Sequence, residues 1–239
     1  MRQTKHIPSA FTLGNLFLGL VSMSYSYEEN FEMGALLIVV GMLLDGLDGR
    51  LARMLDASSE FGKELDSLSD IVTFGVAPAF LLYIVSMRAL GVLGYAIAAI
   101  FPICGAVRLA RFNVSSGKTP GFFTGLPIPA AGGILATAAL YRQFLPYWVL
   151  PAIMGVLAYL MVSRVPYPDF KSLKLPRSAL IIVTGLTLFV ATVFTIKQLV
   201  FIPLLMYALW GLNQSVVKLR PLRIKPSRKL HLRRAKKPR

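Results

Sequence analysis

Cysteine, histidine and acid are all scarce in this chain, and each scarcity closes a door. The single cysteine, Cys104, cannot close an internal disulfide. It lies in an apolar stretch, where a thiol reads as a small buried apolar group and says little about redox compartment. Acidic residues number 11 against 26 basic ones, and only 15% of residues are charged, too few to solvate an ordinary globular surface. No internal repeat at a fixed period and no stretch with the composition of a soluble domain is present.

Apolar residues fill the place of charge: 55% of the 239 residues are hydrophobic and the mean hydropathy is +0.63, the composition of a protein that crosses a membrane several times. Stretches long enough to span the hydrocarbon occur at about 9–26, 33–55, 67–87, 91–110, 127–143, 146–163, 178–195 and 199–217. Backbone amides have no water to bond with in lipid, so such spans are helices or a closed barrel, and unbroken apolar runs are unlike the alternation of barrel strands. The expected class is all-α, a membrane helix bundle of about eight transmembrane helices. The first stretch carries Thr12 and Asn15 and lacks a small-residue cleavage site, so it reads as a retained helix rather than a signal peptide.

Basic residues set the expected orientation. With the N-terminus in the cytoplasm, 23 of the 26 lysines and arginines fall inside and only Arg88, Arg142 and Lys197 outside. An even number of spans then puts both termini in the cytoplasm. The stretch after the last span has eleven basic and no acidic residues. It reads as a mobile tail that marks topology and meets anionic lipid, each Lys or Arg contributing on the order of 1 kcal/mol. No nucleic-acid partner is expected, because no aromatic interleaving accompanies the charge.

Against this background the acid is concentrated. Seven of the eleven acidic residues (Asp45, Asp48, Asp56, Glu60, Glu64, Asp66 and Asp70) lie within positions 45–70. Carboxylates at membrane depth are costly and mark function. Asp45 and Asp48 are three apart and Asp66 and Asp70 four apart, so on helices each pair shares a face, and two helices joined by a short link can bring all four together. From Met33 to Leu44 the second span covers about 18 Å of a hydrocarbon core about 30 Å thick, which puts Asp45 near the inner headgroups. Gathered carboxylates repel by roughly 4 kcal/mol per pair at about 4 Å, so a divalent cation or shared protons must compensate. Oxygen ligands without neighbouring Cys or His suit Mg²⁺ or Mn²⁺ better than zinc, and one or two such ions could clamp a diphosphate. Gly49, Ala52 and Gly62 would let a ligand approach backbone, and Arg53 offers a fork for phosphate. Taken singly, the small residues also read as helix-packing positions.

The set Asp45, Asp48-Gly49, Ala52-Arg53, Gly62, Asp66, Asp70 resembles, without departure, the signature of the CDP-alcohol phosphotransferases. That resemblance implies metal ligation by Asp45, Asp48, Asp66 and Asp70, with Asp70 also the catalytic general base. It implies a CDP pocket formed by Gly49, Ala52, Arg53 and Gly62, and a dimeric six-helix membrane core. Three regions are implied: the core over 1–175, two additional transmembrane helices over 176–217 and the basic tail over 218–239. Thr12 and Asn15, near the start of the first span, could line the same CDP pocket or pack helices through a polar side chain.

The segments 7–19, 104–132 and 159–171 further resemble the members of that family that make phosphatidylserine. The implied reaction is CDP-diacylglycerol plus L-serine giving phosphatidylserine and CMP. Serine carries a carboxylate, for which Arg108 and Arg111 could supply a cationic fork, with Lys118 a further candidate. Either arginine could equally be an inside-positive helix end snorkelling to the interface. The two histidines, in the sequences HIP and HLR, cannot form the HxK pairs of a covalent phospholipase-like route. Rivals within the class are inositol phosphate and glycerol 3-phosphate as acceptors; the rival from another class is a divalent cation transporter.

Overall fold

The structure is a computed structural model and describes residues 7–54, 59–115, 122–168 and 205–209. Among these residues the regular secondary structure is helical except for two three-residue strands. Helix α1 spans Ile7–Tyr27 and α2 Phe31–Met54. A long rod runs from Glu60 to Leu90; within it, α3 (Glu60–Asp70) and α4 (Ala77–Leu82) flank a π-helical segment, Ile71–Val76, and a second π turn covers Tyr83–Met87. Helices α5 (Val92–Ser115), α6 (Ile128–Ala139) and α7 (Val149–Val162) complete the bundle. These six rods agree with the first six expected spans to within a few residues, except that the third begins seven residues earlier, at Glu60. The expected spans at 178–195 and 199–217 lie outside the described residues apart from 205–209.

Helix α6 is apolar on every side and, Pro129 excepted, buried from end to end, as the central helix of a bundle must be. Its small residues permit this. A Cβ at Gly132 would run into the backbone of Phe74, so glycine lets the π segment lie directly on α6. Phe74, Leu81, Leu82, Phe101, Ile134 and Leu135 fill the core around that contact. By contrast α5 turns Val92, Leu93, Tyr95, Ile100, Ile103 and Val107 outward, and α1 exposes Leu13, Phe17 and Leu20. Rows of exposed apolar side chains on helices this long are what a lipid solvent requires and water penalises. By length and composition, Glu60–Leu90 and Val92–Val114 can each cross a membrane. The protein is membrane-associated.

The two ends of the bundle are distinct. At one, Arg88 pairs with Glu29 at 3.3 Å and Arg142 stacks over Phe31 at 4.7 Å, joining the turn after α1 to the end of the long rod and the start of α2 to the turn after α6. At the other, Asn113 donates to Ser67 Oγ at 3.1 Å and Arg111 donates to the Val162 carbonyl at 2.8 Å. This second end also carries the two strands, β1 (Phe122–Thr124) and β2 (Pro166–Pro168), antiparallel with Phe123 opposite Tyr167. The ladder was not expected from the sequence. Pro166 and Pro168 have no amide hydrogen to donate, so the pairing stays short. Tyr167 is buried in it and donates to the Ala208 carbonyl at 3.3 Å, tying residues 205–209 to the core. Burial pushes its phenol up to about 12, so the hydroxyl stays a donor.

Candidate active site

The second end of the bundle holds the carboxylates. Asp45 and Asp48 lie in the C-terminal half of α2, and Asp66 and Asp70 in the C-terminal half of α3. Helix α2 ends at Met54 and α3 begins at Glu60, and the Asp45 and Asp48 carboxylates of the first come within reach of Asp66 on the second. The start of α3 is locally encoded: Ser59 caps it, accepting from the Gly62 amide at 3.0 Å, and Glu60 in the first turn suits the positive end of the helix dipole. A Cβ at Gly62 would sit 3.1 Å from the capping hydroxyl, so glycine keeps the cap tight.

Asp45, Asp48 and Asp66 each offer an oxygen within 4.8 Å of the others. Asp70 stands beside this triad rather than within it; it is buried and lies in the fields of Asp45, Asp66 and Asp48 and of the opposing Arg108 guanidinium. Its Oδ1 has no hydrogen-bond partner among the described residues. Three carboxylates so close repel by roughly 3 kcal/mol per pair at an effective dielectric of 20. The donor set, hard oxygens from two rigid helices with no sulfur or imidazole, fits a divalent ion of the Mg²⁺ or Mn²⁺ type.

Helix α1 supports the cluster without contributing a carboxylate. Thr12 donates to Asp48 Oδ2 at 2.9 Å, Ser69 donates to the Thr12 carbonyl at 2.9 Å, and Thr73 donates to the Asn15 carbonyl at 2.9 Å. The Asn15 side chain is wholly buried one turn deeper, against Gly41 and Thr73, and its carboxamide has no partner among the described residues. Sequence reasoning passed over Ser69, Thr73 and Asn113. The available signal was their spacing, since Ser69 and Thr73 share one side of a helix already marked by Asp66 and Asp70.

Of the other expected site residues, Gly49 is half-buried on α2. Ala52 and Arg53 lie on the same helix, with side chains outside the description, and Lys118 lies outside the described residues. The two arginines separate. Arg111 reaches the end of α7 through Val162. Arg108 is buried, lies over the Phe112 ring at 5.6 Å and faces Asp70, with its Nε lacking a hydrogen-bond partner among the described residues.

Comparison with known proteins identifies the family. The profile of the CDP-alcohol phosphatidyltransferase family matches residues 5–162. A Helicobacter pylori (strain 26695) protein named CDP-diacylglycerol--serine O-phosphatidyltransferase is 41% identical over 180 residues, covering 70% of this chain and 73% of its own. The protein of the same name from Bacillus subtilis (strain 168) is 41% identical over 166 residues, 70% of this chain and 92% of its own. The Methanocaldococcus jannaschii protein so named is 38% identical over 217 residues, 90% of this chain and 97% of its own.

Proposed function

The chain belongs to the CDP-alcohol phosphatidyltransferase family, and from that premise we propose that it transfers the phosphatidyl group of CDP-diacylglycerol to L-serine, releasing CMP. The observation that carries the proposal is the meeting of Asp45, Asp48 and Asp66 at one end of the bundle, with Asp70 beside them and Arg108 opposite. Serine as the acceptor is supported by the names of the relatives.

In this reading Asp45, Asp48 and Asp66 hold one or two Mg²⁺ or Mn²⁺ ions, with Asp70 able to add a ligand. Bound there, a divalent ion supplies positive charge to the diphosphate and to the departing phosphate. The backbone at Gly49, Ala52 and Gly62 admits the nucleotide closely, and Arg53 presents its fork to phosphate. Arg108 receives the serine carboxylate, with Arg111 and Lys118 as further cationic candidates. Asp70 takes the proton from the serine hydroxyl. The serine oxygen forms a bond to the lipid-linked phosphorus as the bond to the CMP oxygen breaks, with inversion at phosphorus.

We further read six crossings in the described helices and two more at 178–195 and 199–217, with both termini and the acidic end on the cytoplasmic side, in a homodimer. The regions follow: core 1–175, two added helices over 176–217, and basic tail 218–239 against anionic lipid. That placement lets acyl chains remain in lipid while cytidine and serine arrive from water.

The test is CMP release by purified protein with CDP-diacylglycerol and Mn²⁺ or Mg²⁺, comparing serine with inositol phosphate and glycerol 3-phosphate. Serine-dependent release, lost in Asp70→Asn, is expected. Release with another acceptor alone would overturn the serine assignment, and metal-dependent ion flux without CMP release would overturn the transferase reading.

A further inference from the structure

We propose that Thr12 is a positioning residue whose hydroxyl orients the Asp48 carboxylate for cation binding, rather than a contact to the nucleotide. The inference rests on the reading of Asp48 as a metal ligand. Thr12 and Asp48 are both buried, at 4% and 5% exposure, and belong to different helices 36 residues apart in sequence. A carboxylate on a helix can turn about its side-chain torsions. The 2.9 Å bond from Thr12 Oγ1 to Asp48 Oδ2 holds the carboxylate plane, and with it the direction in which Asp48 presents oxygen to Asp45 and Asp66.

Thr12 is itself held. Its carbonyl accepts from Ser69, on the helix that carries Asp66 and Asp70, and one turn along α1 the Asn15 carbonyl accepts from Thr73. Threonine's β-branch limits its first torsion in a helix to two main settings, so few alternatives compete with the one that reaches Asp48. Thus α1 supplies no ligand yet sets the geometry of one. Partners of this outer kind, when removed, weaken metal binding roughly 10- to 100-fold.

The experiment titrates full-length protein in detergent with Mn²⁺ and follows the free-ion electron paramagnetic resonance signal, which reads binding without turnover. Thr12→Val keeps the shape and removes the hydroxyl; Thr12→Ala is the second hydroxyl-free variant should valine misfold. Both are expected to weaken Mn²⁺ binding by about 10-fold or more. Thr12→Ser, which restores the donor, should lie within about threefold of wild type on the same scale. Ser69→Ala loosens one of the bonds that hold Thr12 but leaves the hydroxyl on the carboxylate, and should weaken Mn²⁺ binding less than Thr12→Val does. The proposal is overturned if the hydroxyl-free variants bind Mn²⁺ as wild type does. It is overturned too if Ser69→Ala weakens binding as much as Thr12→Val, or if Thr12→Val raises only the CDP-diacylglycerol half-saturation at saturating Mn²⁺. Failure of the wild type itself to bind Mn²⁺ would instead remove the metal reading on which the inference stands.

Discussion

Replacing Asp45 by asparagine should make the metal-free protein more stable while removing its response to metal. Asp45, Asp48 and Asp66 lie within 4.8 Å of one another, so neutralising one member deletes two like-charge pairs of roughly 3 kcal/mol each at an effective dielectric of 20. Solvent at the partly exposed Asp45 and Asp66 and the Thr12 donor on Asp48 already relieve part of that repulsion, leaving a net gain on the order of 1–2 kcal/mol. For a chain of this size that corresponds to a Tm rise of about 2–8 °C. Metal acts oppositely: an ion bound only by the folded state at a hundred times its Kd adds about 2.7 kcal/mol to wild type. Thermal unfolding of purified Asp45→Asn and wild type, each in EDTA and in Mn²⁺, should therefore give curves that exchange order. The variant should melt higher in EDTA and lower in Mn²⁺. A variant that melts below wild type in EDTA would refute the claim that the carboxylates are held together against their own repulsion. A wild type indifferent to Mn²⁺ would refute the claim that a cation relieves it.

Four further outcomes are expected. Asp70→Asn should lower serine-dependent CMP release by about 10²–10⁴-fold while still binding Mn²⁺, because the Asp45, Asp48 and Asp66 oxygens remain; loss of metal binding in this variant would contradict the separation of Asp70 from the triad. Arg108→Lys should raise the KM for serine about 10-fold or more, since an ammonium cannot reproduce a guanidinium fork, and leave the CDP-diacylglycerol KM in place; the reverse pattern in acceptor and donor titrations would move Arg108 to the nucleotide. Gly132→Ala should destabilise by about 1–3 kcal/mol, seen as a lower Tm, because its Cβ meets the Phe74 backbone, which has no rotamer to yield. Tyr167→Phe removes the hydroxyl that reaches the Ala208 carbonyl and should cost about 1 kcal/mol; an unchanged Tm would show that the bond holds nothing.

Most of the helical architecture was legible because the signals are local. Apolar length marks a membrane helix residue by residue, and the rods α1, α2 and α5 begin and end close to the limits read from hydropathy. The early start of α3 escaped because Glu60–Asp70 is polar, and its encoding is a cap and a charged first turn rather than an apolar run. The β1–β2 ladder escaped because it joins residues about 40 apart whose prolines argue against strands. The π segment Ile71–Val76, where the Ala77 amide bonds Val72 instead of a residue four back, also has no sequence mark; packing of Phe74 against Gly132 accompanies it.

At the site, the sequence by itself determined which groups could do chemistry: two aspartate pairs at spacings of three and four residues share helix faces whatever the fold around them. Only tertiary structure decided how those faces meet. It set Asp70 beside the three clustered carboxylates, laid the hydroxyl of Thr12 on Asp48, and sent Arg108 toward Asp70 while Arg111 bonded α7. Helical periodicity fixes direction within one rod, but the rotation and depth of one rod against another follow from small residues, hydroxyls and close contacts drawn from distant parts of the chain.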